Sequence, residues 1–407
     1  MKIGIVVSPD FFTNHVGVRN YVAGLHTLLG EGARVDFLVS ENSSSRYRQW
    51  YLVQPPSRRL VADNFVSKTT CLEGSPADVF SAYQKWVRRP EPELATIPKI
   101  ALGSSLEREN YDTILVSSPW CVDFEQRLPA RQVIGLAFDT IPNTSCFTSW
   151  DIRYFEFAGH HTFGYGYYRD HCDFVYAISS DAAASLSTLF AIPKNRVIAL
   201  PPFLPTGYLQ HVKPNVPRGA NLALACPFDP RKGMAIIPSL VNGAAAALEK
   251  VFIYGKPRCH PDPFKNFFAE LDERLRIVWY PTATADVIAN LFASSRLLLF
   301  PSQSEGLGLP ILEAQFCGAR VAARPIPPMA QNMLAGSVEL GKSAALDAAA
   351  IAAVLADDQF DHDALARQAH SRFSFDAIRS TLIDTVVDQR RPFIDERRPR
   401  AVRLQTA

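Results

Sequence analysis

No stretch of this chain approaches the ~18 consecutive apolar residues that a membrane-spanning helix needs. Its opening, "MKIGIVVSPDFF", also lacks the apolar core and small-residue cleavage site of a signal peptide. A cytoplasmic protein is expected, with peripheral attachment at the inner face of the membrane left open. Cysteine is sparse and scattered: Cys71, Cys121, Cys146, Cys172, Cys226, Cys259 and Cys317 form no C-x-x-C pair and are odd in number. That pattern suits reduced thiols and argues against a disulfide scaffold. A dominant charge is missing too, since a formal net charge of +2 is too small to suggest nucleic acid as a main partner. No G-x-G-x-x-G follows the first apolar run, where "SPDFFTNHVGVRN" holds only Gly17. A dinucleotide oxidoreductase is therefore a poor fit. No fixed-period repeat is visible.

What is present is ordinary globular material, 47% hydrophobic and 20% charged over 407 residues, enough for two or three domains. Strand and helix patterns alternate from the start: "KIGIVVS", then "GVRNYVAGLHTLLG" stopped by Gly30, then "ARVDFLVS". The strand candidates "YDTILVSSP", "RQVIGLAFD", "CDFVYAISS" and "RVIALPP" follow. Such alternation implies a parallel sheet with helices on both faces. Residues 54–110, polar and rich in proline, read as helices and loops elaborating this first domain. Near residue 200, "LPPFLPTGYLQHVKPNVPRGA" carries five prolines and no sustained period, as a linker does. Alternation restarts with "ANLALAC", "KVFIYG", "RIVWYP", "RLLLFPS" and "ARVAA". The expected division is 1–205 and 218–375. The basic tail, about residues 380–407, is either a solvated end, a weak anchor to anionic lipid, or a segment packing back on the first domain.

The most informative stretch is "RLLLFPSQSEGLGLPILEAQFCGARVAA". A strand buried on both faces leads into a glycine loop, a short helix opened by Pro310 and closed by Gly318, and another strand. Free amides at a helix N-terminus favour an anion. Glu305 and Glu313 would repel that anion on contact, so they are expected to accept hydrogen bonds from hydroxyls beside it. Phosphate within and hydroxyls outside describe a nucleotide sugar.

Taken together these features resemble the GT-B fold, two Rossmann-like doubly wound α/β domains facing a central cleft. More narrowly they resemble the retaining nucleotide-sugar glycosyltransferases of family four. The resemblance rests on E-x7-E, here Glu305 and Glu313. It implies that Glu313 holds the donor ribose, that Glu305 lies beside the donor sugar, and that the amides of Gly306, Leu307, Gly308 and Leu309 touch diphosphate and sugar. "CPFDPRKGM" places Arg231 and Lys232 where paired cations would stabilise a departing diphosphate more than the ground state. "HVGVRNYVAGL" is similar to the family's glycine turn after strand one, with Gly17 near donor phosphate. Arg19 there either adds a phosphate contact or faces solvent. "GLAFDTIP" resembles the family's "HDxIP" segment. Asp139 matches its acidic position, to orient or deprotonate the acceptor, or else is a turn acid ending a strand; Phe138 replaces the His. Trp279 and Tyr280 stand where family members pack the base, or sit in the core, and Tyr280 is counted with the donor-binding residues. The family's "PPG" is here Pro201, Pro202, Phe203.

Two further patterns are set aside. "DHD" (Asp361, His362, Asp363) has the form of a metal motif but opens a helical run, where acids act as caps. His160, His161, His171 and Cys172 match no closed zinc spacing. They lie in an aromatic segment, "FTSWDIRYFEFAGHHTFGYGYYRD", expected to be a loop folded over core aromatics, with an acceptor pocket built on sugar stacking or a membrane-surface contact as the alternatives. The expected activity is metal-independent, cofactor-free retaining transfer, of a hexose by preference, from a nucleotide sugar donor to a saccharide or lipid-linked saccharide. Surface or extracellular polysaccharide assembly is the expected setting. A GT-B epimerase and a non-catalytic scaffold are the alternatives.

Overall fold

The computed structural model describes residues 1–9, 11, 16–30, 32–43, 47–53, 69–88, 99–146, 152–200, 202–204, 216–374 and 379. The expected tail and most of the proline-rich linker lie outside them. In chain order the strands are β1 (Lys2–Val7), β2 (Arg34–Ser43), β3 (Tyr47–Val53), β4 (Thr70–Gly74), β5 (Lys99–Gly103), β6 (Tyr111–Val116), β7 (Ala130–Ala137), β8 (Phe174–Ala177) and β9 (Val197–Ala199). The second half adds β10 (Asn221–Ala225), β11 (Lys250–Tyr254), β12 (Ile277–Thr282), β13 (Leu297–Phe300), β14 (Arg320–Ala323) and β15 (Val338–Glu339). They form two sheets, in the orders β5-β3-β2-β1-β6-β7-β8-β9 and β15-β14-β13-β10-β11-β12-β4. Pairing is parallel through both centres, and all four residues of β13 are buried, as a central strand covered on both faces requires.

Each sheet departs from simple alternation at one edge. In the first, β3 pairs antiparallel with β2 and β5 antiparallel with β3, so that edge is a meander. In the second, β4 pairs antiparallel with β12. The segment holding β4 and the helix Pro76–Trp86 belongs to the second sheet, which corrects the reading of that segment as an elaboration of the first domain. The physical reason is burial. Val79 is fully buried, Tyr83 stacks on Trp279 at 4.4 Å and 29°, and Phe80 packs on Phe264 and Phe268. The helix Pro76–Trp86 thus fills the core between the second sheet and the helix Pro261–Glu270, and β4 covers the edge that β12 would otherwise expose.

The aromatic segment supplies a second correction, since Ile152–His171 is a helix of 20 residues. Glycines and aromatics disfavour helix locally, but packing overrides propensity here. A Cβ on Gly164 would lie 2.1 Å from the Pro119 carbonyl oxygen, so glycine permits the close approach of backbone to helix. Tyr165 and Tyr168 are fully buried, and His161 stacks on Trp120 with burial lowering its pKa to about 4. Phe203 of "PPF" is core, packed on Tyr21 at 4.4 Å. Asp361 caps the helix His362–Phe373, accepting from the Ala364 amide at 2.7 Å. No helix among the described residues is long and apolar enough to cross a membrane.

Candidate active site

The site lies at the carboxyl ends of the strands of the second sheet, where open α/β sheets bind ligands. In the turn that follows β10, the Asp229 carboxylate accepts from the Arg231 amide at 3.0 Å. That turn aims Arg231 and Lys232 toward the loop after β13. Lys232 Nζ donates to Glu305 Oε1 at 2.5 Å, Ser302 Oγ reaches the same oxygen at 2.5 Å, and Arg231 Nη1 stands 3.5 Å away. Arg231 also donates to the Ser304 carbonyl at 2.5 Å. Burial pushes the Glu305 carboxyl up, but Lys232 and Arg231 outweigh it and hold the pKa below its ordinary value. Burial likewise opposes the Arg231 charge, and Glu305, Asp229 and Asp139 more than restore it. Both shifts favour the charged forms of Glu305 and Arg231.

Gly306 and Gly308 carry the loop to the helix Leu309–Phe316. Gly308 has φ 75°, a left-handed conformation that glycine adopts without strain. The Leu307 carbonyl is held by Asn332 Nδ2 at 2.6 Å. On the helix, Glu313 meets Tyr254 at the end of β11 through a side-chain hydrogen bond, and burial raises its pKa to about 7. The loop faces the first domain closely. A Cβ on Gly306 would lie 2.3 Å from the Phe138 carbonyl oxygen and 3.2 Å from Asp139 Cβ. Asp139 thus stands across the cleft from the cation cluster. Burial raises its pKa, with Arg231 opposing and Glu305 adding to the shift. Its Oδ1 also accepts from the Ile141 amide at 2.9 Å, so it ends a strand as a turn acid and faces the cleft as well.

Gly17 opens the helix Val16–Gly30 opposite Leu309, whose Cδ1 lies 3.7 Å from where a Cβ would be. Arg19 is buried and does not face solvent. Burial lowers its pKa to about 10. Trp279 is core, and Tyr280 is the half-exposed member of that pair. Ser302 and Tyr254 were not foreseen. Nothing marks Ser302 apart from its place just after a strand, and Tyr254 gains meaning only because β11 ends beside Glu313.

Residues 229–357, which span this cation turn and both glutamates, match the family described as glycosyl transferases group 1. The group 1 match leaves the first domain untouched. Among curated relatives, the D-inositol 3-phosphate glycosyltransferase of Mycolicibacterium paratuberculosis is 29% identical over 206 residues, 46% of this chain and 46% of that protein. Its counterpart in Mycobacterium tuberculosis is 28% identical over 170 residues, 39% of this chain and 35% of that protein. The chain spans about half the length of the curated relatives it matches. In fold the likeness extends further. HepE of Anabaena, solved with UDP and glucose, aligns at a TM-score of 0.56 and 14% identity over 95% of this chain and 100% of that one. Sucrose-phosphate synthase of Thermosynechococcus elongatus gives 0.59 and 14% over 95% and 98%. The chain has the GT-B fold.

Proposed function

We propose that the protein is a retaining glycosyltransferase, moving a sugar from a nucleoside diphosphate donor to a hydroxyl of a saccharide or lipid-linked saccharide. The single observation that carries this is the ion cluster. Glu305 Oε1 takes Lys232 at 2.5 Å and Arg231 at 3.5 Å, at the foot of a glycine loop that opens a helix. Diphosphate laid on that helix N-terminus meets free amides from below and two cations from the side. Its negative charge grows as the bond to the sugar breaks, so the cations and amides favour the transition state over the ground state. This supplies the electrophilic assistance from the chain's own residues, and full activity in the presence of a chelator is expected.

In this mechanism the bond from the sugar's anomeric carbon to the leaving phosphate oxygen breaks while the acceptor oxygen bonds to the same face. The acceptor's proton passes to the leaving diphosphate oxygen or to Asp139, which burial makes more basic. Glu305, held ionised, positions the donor sugar. Glu313 accepts from the ribose hydroxyls and so selects a ribose-bearing leaving group. The donor lies mainly on the second domain and the acceptor on the first. Surface or extracellular polysaccharide, or a related glycoconjugate, is the proposed product class, with a hexose the proposed cargo.

The test is incubation of the purified protein with UDP-, GDP-, ADP- and dTDP-sugars and a panel of saccharide acceptors, following released nucleotide and the anomeric configuration of product by NMR. Release that depends on acceptor, with retained configuration and loss on Glu305→Gln, establishes the reading. Epimerised donor without any acceptor would replace it with the epimerase alternative.

A further inference from the structure

The second sheet owns a strand that the first half of the chain supplies. We infer that this strand, β4, with Thr69 just before it, forms the outer wall of the nucleobase pocket, so that Thr69 and Cys71 help decide which nucleotide the protein accepts. Because this assignment rests on the donor site proposed above, the geometry is read outward from that site.

Across the sheet the proposed donor contacts run in one direction. Phosphate ligands come from the loops after β13 and β10, and the ribose ligand Glu313 meets Tyr254 at the end of β11. The next strand outward is β12, and the last is β4. Tyr254 pairs in register with Tyr280, so their side chains emerge on the same face. Tyr280 in turn shares a side-chain hydrogen bond with Cys71. Two strand spacings, about 10 Å, therefore separate the ribose-side tyrosine from the Cys71 thiol. A base attached to ribose and turned away from phosphate has only this direction in which to lie.

The polarity of β4 matters as much as its place. It runs antiparallel to β12, with Thr70 opposite Thr282 and Gly74 opposite Ile277. Its first residues thus stand at the carboxyl end of β12, the ligand-binding edge of the sheet. There Thr69 Oγ1 lies 3.3 Å from Thr284 Oγ1, and the Cys71 thiol is exposed. The strand is firmly seated. On the opposite face Tyr83 stacks on Trp279, and Glu73, on the same face as Cys71, pairs with Arg276 at 2.6 Å. Covering a bare edge would explain pairing alone. It does not explain an exposed thiol and paired hydroxyls at the ligand-binding end, on the face that holds the tyrosine beside Glu313.

Calorimetric titration of the full chain with UDP, GDP, ADP, dTDP and inorganic pyrophosphate tests the wall, using wild type, Cys71→Leu and Thr69→Ala. The thiol is exposed, so Cys71→Leu is expected to fold, and its melting temperature checks this. The expected result is weakening of roughly tenfold for the preferred nucleoside diphosphate in Cys71→Leu, with pyrophosphate unchanged. In wild type, nucleotide but not pyrophosphate should slow alkylation of Cys71, read by peptide mass spectrometry. Equal nucleotide affinity in all three proteins, with Cys71 alkylated at the same rate throughout, would overturn the wall and leave the donor site standing. Failure of wild type to bind any nucleotide or pyrophosphate would remove the donor site itself, and the wall with it.

Discussion

Lys232 Nζ stands 2.5 Å from Glu305 Oε1, joining two loops separated by 73 residues of sequence. Both side chains are mostly buried, with 13% and 10% of their surface exposed. The pair is therefore at once part of the fold and the charge centre of the site. Lys232→Ala should lower kcat by about 10²–10³, since a preorganised cation aimed at developing charge is lost. It should also lower stability by roughly 2–4 kcal/mol, because the buried carboxylate loses its nearer cation and keeps Arg231 at 3.5 Å and the Ser302 hydroxyl. Urea melts beside steady-state kinetics check both, and an unchanged kcat would remove Lys232 from the chemistry.

Glu313 gives a pH signature of opposite sign to that of an ion-paired acid. Its pKa rises from 4.5 to about 7 on folding, so the native state binds the proton more tightly than the unfolded chain. Stability from this group is fully present below pH 4.5 and is lost as pH rises through about 7. Glu313→Gln should match wild type at low pH and exceed it at pH 8 by about 1–2 kcal/mol, the partial exposure reducing the full effect. The same variant should bind nucleoside diphosphate at least tenfold more weakly, since one hydroxyl acceptor becomes a donor. Denaturant melts across pH 5–8 read the first effect and titration calorimetry the second.

Asp139 faces the cluster from the other domain. Asp139→Asn should leave nucleotide affinity within about twofold while reducing acceptor-dependent turnover by 10²-fold or more, of the order expected for a lost general base. If the carboxylate acts in transfer, kcat should fall on the acid side with a midpoint above the ordinary aspartate value, the direction in which burial shifts it. A variant whose nucleotide binding falls as far as its turnover would assign Asp139 to the donor instead.

Gly306 tests whether the two domains must meet as closely as they do. A Cβ there would sit 2.3 Å from the Phe138 carbonyl oxygen, nearer than any such contact tolerates. Gly306→Ala should hold the domains apart and lower kcat about tenfold or more, as a misplacement near 1 Å is known to do. The melting temperature should move little, because the clash lies at the cleft and not in either core. Small-angle scattering would show the domains further apart than in wild type.

Much of this was legible because local patterns and tertiary packing agree. "RLLLFPSQSEGLGLPILEA" reads as strand, loop and helix for the same reasons that it forms them: an apolar run, glycines, then proline at the first turn. Arg231, Lys232, Glu305 and Glu313 were legible as types of chemistry. Their meeting was not, nor were Ser302 and Tyr254 as partners. The aromatic helix Ile152–His171 hid behind its glycines, and the reason for one of them, Gly164, is a contact with Pro119, distant in the sequence.

By itself, then, the sequence determined what repeats at short range: alternating strands and helices, buried parallel cores, a glycine loop before a helix, and the charged residues beside it. Tertiary structure alone decided which of those charges meet, that Asp139 faces them across the cleft, and that β4 leaves its neighbours in sequence to complete the other sheet. The reason is physical. Periodicity and capping act over a few residues and are written locally. The pairing of an edge strand and the burial of Val79 and Tyr83 depend on which apolar surface is left uncovered once the rest of the chain has folded.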